Sequence, residues 1–360
     1  MLSLVLRRSW AALLLGSLLM MALGGCGDGQ APPAGEHALE PVVAVGSQWY
    51  GHIPVWAGIE RGIFERHGFR VEWRTIGKSM DRLNAISSGE AQFASLGEIA
   101  MLSAMAQGNT RFYWVGNQDI APGFEGLVAQ PGVEDFDDLR GGRIGFPFGS
   151  SVELTARMLL REHGLDPDRD VRLVNLEVGD VPAVFRAGNV DAAGVWEPGF
   201  SQLKAVPGAR VLGMDTDTEV YQRFGTMTGP DVLILGRDWV DADHIRARHF
   251  MAAYFEALDW VRDHPDEVVQ LVAGRWIQQE PDLIAANLAR FQWHDAADNR
   301  RVMNDDGIFA QADFILDILH GQMHALPRKP DFRAWVRLDL LPEPESELEL
   351  DPGLDPELDQ

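Results

Sequence analysis

Cysteine is almost missing from this 360-residue chain, with Cys26 as its only example. That excludes an intrachain disulfide, a thiolate zinc cluster and CxxC redox chemistry together. Basic residues are also scarce, 31 Lys and Arg against 54 Asp and Glu, and the net charge of -23 repels phosphate backbones. Nucleic acid is therefore not an expected partner. No GxSxG, HExxH or P-loop motif occurs, and His52 has no second histidine at ligand spacing, so no catalytic residue, metal or cofactor is expected. What remains is an ordinary folding composition, 46% hydrophobic and 24% charged, long enough for two domains.

Long apolar runs are confined to Trp10–Leu23, about 14 residues behind Arg7 and Arg8. A spanning helix needs about 20, so the run reads as the core of a signal peptide covering residues 1–25. It leads through Leu23, Gly24 and Gly25 into Cys26 and resembles the lipobox of bacterial lipoproteins. The resemblance implies cleavage before Cys26 and lipid on its sulfur, giving a periplasmic protein anchored to a bacterial membrane. Residues 26–40 are rich in Gly, Pro and Ala and read as a flexible tether. At the other end, residues 343–360 carry eight acids and no bases and read as a disordered tail.

Between these ends, strand and helix patterns alternate. Val42–Gly46, Val71–Ile76, Phe93 and Phe112–Gly116 read as strands, separated by helical stretches at Pro54–Arg66, Met80–Ser88 and Ile99–Ala106. A second series runs through Arg143–Phe146, Ser151–His163, Val171–Leu176, Val181–Ala187 and Ala192–Val195. Such alternation predicts an α/β fold in two lobes with mainly parallel sheets. Asn84–Glu98 and Ala183–Glu197 also align, Gly89 with Gly188, Ala94 with Ala193 and Glu98 with Glu197. After the strand Val232–Leu235, helices at Ala242–Asp263, Asp266–Trp276, Pro281–Arg290 and Gln311–His320 are expected to pack on the first lobe.

Three stretches, Val43–Gly68 with YGHIPVWAGIERGIFERHGF running on to Phe69, LRGGRIGFPFGSSVELTARMLL at Leu139–Leu160 and NLEVGDVPAVFRAGNVDAAGVWEP at Asn175–Pro198, resemble the periplasmic solute-binding proteins for taurine, alkanesulfonates and nitrate, within the NMT1/THI5-like superfamily. The resemblance implies a type II-like periplasmic binding protein fold: lobe 1 from 41–129 and 236–342, lobe 2 from 130–235, with crossings near Gly126–Gln130 and Pro230–Arg237. It further implies a monomer that captures a small molecule in the cleft and delivers it to the permease of an ABC transporter.

GFPFGSSVE at Gly145–Glu153 puts Ser150 and Ser151 at a helix start, where free N–H groups and the dipole favour an anion. Ser150 with Glu153 equally fits a capping box. In sulfonate-binding relatives the corresponding serine or threonine stretch faces the anionic group. Glu98, Glu125, Glu197 and Asp231 fall at strand ends or crossings, where a carboxylate removed from water needs a cation, from the ligand or from a protein arginine. Glu125 in EGLVA and Asp231 in PDVLILGRD match the taurine binders, which implies an ammonium partner, whereas Glu98 stands where those binders carry small hydroxyl residues. Trp49, Tyr50, His52, Trp56 and Trp196 could wall the cleft or serve the core. A zwitterionic or anionic solute is thus expected, with a cationic amine or aminopyrimidine thiamine precursor as the alternative. The pyrimidine synthases of thiamine biosynthesis share the fold, but their cysteine-rich iron-binding segment has no counterpart here.

Overall fold

The computed structural model describes residues 38–343. Cys26, the expected signal peptide, the expected tether up to residue 37 and the acidic run beyond Glu343 lie outside the described residues. In the first lobe β1 (Glu40–Gly46), α1 (Ile53–Glu60), α2 (Ile63–Arg66), β2 (Phe69–Thr75), α3 (Ser79–Ser88), β3 (Phe93–Gly97), α4 (Glu98–Ala106) and β4 (Phe112–Asn117) alternate as the sequence pattern requires. Past the short β5 (Asp119–Ile120), the second lobe comprises β6 (Glu125–Ala129), β7 (Arg143–Phe146), α5 (Ser151–Glu162), β8 (Arg172–Asn175), α6 (Val181–Arg186), β9 (Ala192–Trp196), α7 (Gly199–Lys204), β10 (Arg210–Met214) and α8 (Glu219–Phe224). The chain returns through β11 (Asp231–Gly236) into α9 (Arg237–Ala242), α10 (His244–Asp263), α11 (Pro265–Val272), α12 (Pro281–Leu288), β12 (Gln292–Trp293), α13 (Ala296–Val302) and α14 (Ile308–Leu316).

The two five-stranded sheets share one plan, β2-β1-β3-β11-β4 in the first lobe and β8-β7-β9-β6-β10 in the second. In each, four strands run one way and one runs against them: β11 is antiparallel to β3 and β4, and β6 to β9 and β10. The aligned repeat is therefore structural, since β3 and β9 hold the same position and each follows a glycine in the left-handed region, Gly89 at φ 82° and Gly188 at φ 71°. That conformation is open to glycine at little steric cost.

One expectation is corrected. Gly126–Ala129 and Asp231–Gly236 are not links between lobes but strands inside the sheets, so lobe 2 begins with Glu125 and lobe 1 resumes at Asp231. The links are residues 121–124 and 225–230. An apolar run such as GLVA reads the same whether it leaves a lobe or enters one, because strand direction is set by tertiary pairing.

Helices cover both sheets. On the first, Phe250, Tyr254 and Leu258 of α10 present one buried face, and Phe250 stacks on Phe64 at 5.5 Å. Each such ring stabilises the lobe by about 2–3 kcal/mol. In the second lobe, α5 packs Val152, Ala156 and Leu159 on one face of the sheet, while α6 and α7 bring Phe185 and Phe200 to the other. The expected helix at Pro54–Arg66 is broken at Gly62, which sits at φ 64° between α1 and α2. Among the described residues no helix is long and apolar enough to cross a membrane.

Candidate functional site

A cavity of about 550 Å³, counting its mouth, lies between the lobes. Its walls come from the carboxyl ends of β1, β3, β7 and β9, where open α/β sheets present their loops. The two inverted strands contribute their first residues instead. Asp231 opens β11 opposite Gly97 at the end of β3, and Glu125 opens β6 opposite Trp196 at the end of β9. The reversed strands thus carry one carboxylate from each lobe to the same place.

Of the residues expected at the site, Trp49, Glu125, Ser150, Ser151, Trp196 and Asp231 line this cavity. Tyr50 does not; its hydroxyl donates to Gln279 and accepts from Asn287 Nδ2 at 3.0 Å, inside the core. Trp56 is likewise core, stacked on Trp276 at 5.0 Å. His52 is buried one layer back, with Nε2 3.4 Å from Ser47 Oγ and 3.5 Å from Arg82 Nη1. Burial, reinforced by the Arg82 charge, holds its pKa well below the usual histidine range, so it is neutral.

Glu197 serves the protein rather than the cavity. It accepts from Ser201 N at 3.0 Å, Ser201 Oγ at 2.8 Å and Lys204 Nζ at 3.1 Å, compensating the start of α7. Glu98 is also turned away, buried in the first lobe near Gln311 of α14. Glu98, Met101, Leu102 and Met105 form one stripe of α4, so the acid shares the face that enters the core. Burial pushes its pKa up to about 8. Below pH 4.5 the carboxyl is neutral in both folded and unfolded chains; as pH rises towards 8 the unfolded chain ionises first, and stability is lost across that window. Glu98→Gln is therefore expected to match the wild type in thermal melts at pH 4.5 and to melt roughly 3–6 °C higher at pH 8. Equal melting points at pH 8 would show that the carboxyl is not held neutral.

The sequence reading missed Arg82. It is 3% exposed and lines the cavity beside Ser47 and Ser79. Nη1 donates to Ser95 O at 2.7 Å and Nη2 to Ser79 Oγ at 2.9 Å, which fixes the guanidinium plane. Its pKa is lowered to about 10 by burial, against the pull of Asp231, so the charge persists at neutral pH. Asp231 is pushed up to about 6, chiefly by burial, while Arg82 and the Trp49 indole oppose the rise.

Glu125 is buried and also raised by desolvation. Ser151 Oγ donates to it at 2.5 Å, Thr155 Oγ1 at 2.6 Å and Thr228 Oγ1 at 2.9 Å. The capping box does not form: Ser150 Oγ donates to Pro147 O at 2.6 Å, and Glu153 accepts from Gly149 N at 2.7 Å. Because Glu125 already sits against the first turn of α5, the positive end of that helix faces a carboxylate, and Arg82 is the strongest anion anchor in the cavity. Behind this layer Asp119 and Asp215 are buried with pKa values raised by desolvation, Asp119 well above the carboxylate range and Asp215 up to about 8. Asp215 accepts from Gly123 N at 2.8 Å and so tethers the first link.

The family model described as NMT1/THI5 like matches residues 49–268. A protein of Brucella abortus (strain 2308) designated a binding protein is 26% identical over 215 residues, 59% of this chain and 64% of its own length. The taurine-binding periplasmic protein of Escherichia coli (strain K12) is 26% identical over 199 residues, 55% of this chain and 60% of its own. The chain thus spans less than two thirds of either relative. Among solved structures, the alkanesulfonate-binding protein SsuA of Xanthomonas axonopodis pv. citri bound to MOPS superposes with a TM-score of 0.68 at 21% identity, covering 83% of this chain and 98% of that one. The desulfurization enzyme DSZB reaches 0.60 at 17% identity, covering 84% and 97%. At these identities the likeness is one of fold, and the fold accommodates both binding proteins and an enzyme.

Proposed function

The chain belongs to the NMT1/THI5-like family and has the two-lobed periplasmic binding protein fold, and from that premise we propose that it captures a small zwitterionic organic solute, an aminosulfonate such as taurine, for an ABC importer. One observation carries the reading. Arg82 and Asp231, both buried, line the same cavity, yet Arg82 directs its hydrogen bonds to Ser95 O, Ser79 Oγ and Gly77 O, not to Asp231, whose field it nevertheless feels. Two opposite charges kept apart in low dielectric suit a molecule carrying both complementary charges. Its anionic group sits on Arg82 with the Ser47 and Ser79 hydroxyls; its ammonium faces Asp231 and Glu125, with Trp49 and Trp196 as walls.

The names of the taurine- and sulfonate-binding relatives agree with this chemistry. Turnover has no part in the reading: the cavity supplies neutralising charges and hydroxyls, and no nucleophile paired with a base is proposed. The lipid on Cys26 belongs to the proposal too, since tethering raises the effective concentration of the binder at its permease.

A second reading has its own support. Two carboxylates face one guanidinium in the cavity, and this excess of acid also fits a cationic amine or an aminopyrimidine. Thermal-shift titration separates the two, because a ligand bound only by the folded form raises the melting temperature. Taurine and other aminosulfonates are expected to raise it by several degrees, while hydroxyethanesulfonate and ethylamine, each carrying one of the two charges, raise it little. Stabilisation by aminopyrimidines or diamines without any response to aminosulfonates would transfer the assignment to the cationic class.

A further inference from the structure

A second cavity, about 710 Å³ with its mouth, adjoins the first and shares three wall residues with it: Ile99, Gly149 and Ser150. Its character differs sharply. Met80 and Ile99 from lobe 1, Leu154 from lobe 2, and Leu319, Met323 and Leu326 from the segment after α14 give it an apolar lining. Glu153, the one charged wall residue among the described residues, is already committed to Gly149 N and to Arg157 Nε at 2.8 Å.

We propose that this groove is a specificity subsite that receives an apolar substituent on the ligand's nitrogen, so that the preferred ligands are N-alkylated aminosulfonates with a chain of several carbons. The inference rests on the reading of the adjoining cavity as a zwitterion site. Orientation follows from the hydroxyl network. Glu125 is tied to Ser151, the neighbour of shared Ser150, so the cationic end of the ligand lies beside the junction. At that junction Gly149 adopts φ 71°, and no atom lies within 4 Å of where a side chain would begin, so open space borders the shared wall. The far wall is irregular for a reason consistent with a shaped surface: Asp317–Gln322 is a π-helical turn carrying Leu319, and His324, between Met323 and Ala325, is left-handed at φ 51°.

The test is calorimetric titration of the full chain with 2-aminoethanesulfonate and its N-methyl to N-hexyl derivatives. Each methylene entering the groove is expected to tighten Kd about fourfold, roughly 250-fold over four carbons, before a plateau. Met323→Trp, which fills the groove, should abolish the chain-length dependence and leave Kd for the unsubstituted parent unchanged; Met80→Trp from the opposite wall serves if the first variant does not fold. Flat or weakening affinity along the series while the parent binds would overturn the subsite and leave the zwitterion reading intact. A gain that survives a folded tryptophan variant would overturn it as well. Failure of every member, the parent included, would instead remove the reading on which the subsite rests.

Discussion

Arg82→Met is expected to weaken zwitterion binding by about 2–5 kcal/mol, from roughly 30-fold to beyond a thousandfold in Kd, the range for truncating one partner of a buried charge pair. Two effects add. Among the described residues the anionic group loses the only buried cation of the cavity wall, and Asp231 loses the charge that opposes its desolvation, so its pKa rises further and it is less often ionised to meet the ammonium. Folding suffers less, since the variant chiefly leaves Ser95 O without its 2.7 Å donor, worth about 1–3 kcal/mol. Arg82→Lys separates charge from geometry. A lysine keeps the cation but not the fork fixed by Ser95 O and Ser79 Oγ, and an intermediate affinity is expected. Isothermal titration on variants whose circular dichroism matches the wild type decides the matter; a Kd within threefold of wild type for Arg82→Met would remove the guanidinium from the site.

Asp231→Asn carries the second large effect and reverses preference rather than destroying binding. The amide keeps shape but not charge, so aminosulfonates should lose about 30- to 100-fold, in line with the loss of one charge-assisted contact out of water. Hydroxyethanesulfonate should bind the variant better than the wild type, because a repelling carboxylate has been neutralised. The pH profile supplies an independent readout. In the wild type Asp231 titrates near 6, so affinity for an aminosulfonate is full above that pH and falls by up to about tenfold per unit below it as the carboxylate is protonated. In Asp231→Asn that limb should flatten. Equal losses for the zwitterion and the amine-free sulfonate would mean that Asp231 shapes the cavity without recognising charge.

Much of this architecture was legible in the sequence, and the reasons are local. Apolar runs separated by helical patterns gave the α/β alternation, and Gly89 and Gly188, aligned in the two series, are both left-handed in the structure. The repeat that aligns Glu98 with Glu197 led to the shared strand position of β3 and β9. What it could not tell was where those two acids point. Glu197 reaches residues four and seven further along, Ser201 and Lys204, a helical spacing available from the sequence. Glu98 heads an apolar stripe of α4 and follows it into the core.

Arg82 was overlooked because an arginine after an aspartate in a short helix reads as a solvated charge. Its spacing said otherwise: Arg82, Ala85 and Ile86 fall at i, i+3 and i+4, the buried face of α3. The inverted strands left no local trace. Reversal of EGLVA and DVLILG relative to their neighbours arises from the double passage of the chain between lobes, a property of the whole topology.

That reversal has a mechanical consequence. Glu125 and Asp231 begin the strands that follow the two connecting segments, so both acids ride next to the axis about which the lobes would swing, where the lever arm is shortest. Ile99 and Ser151, at the starts of α4 and α5, also close on Gly229 of the second link, where an added side chain would meet both at 3.0 Å. A solute can thus be sorted by charge at the pivot while the jaws stand apart, because neither carboxylate depends on their closing to reach it.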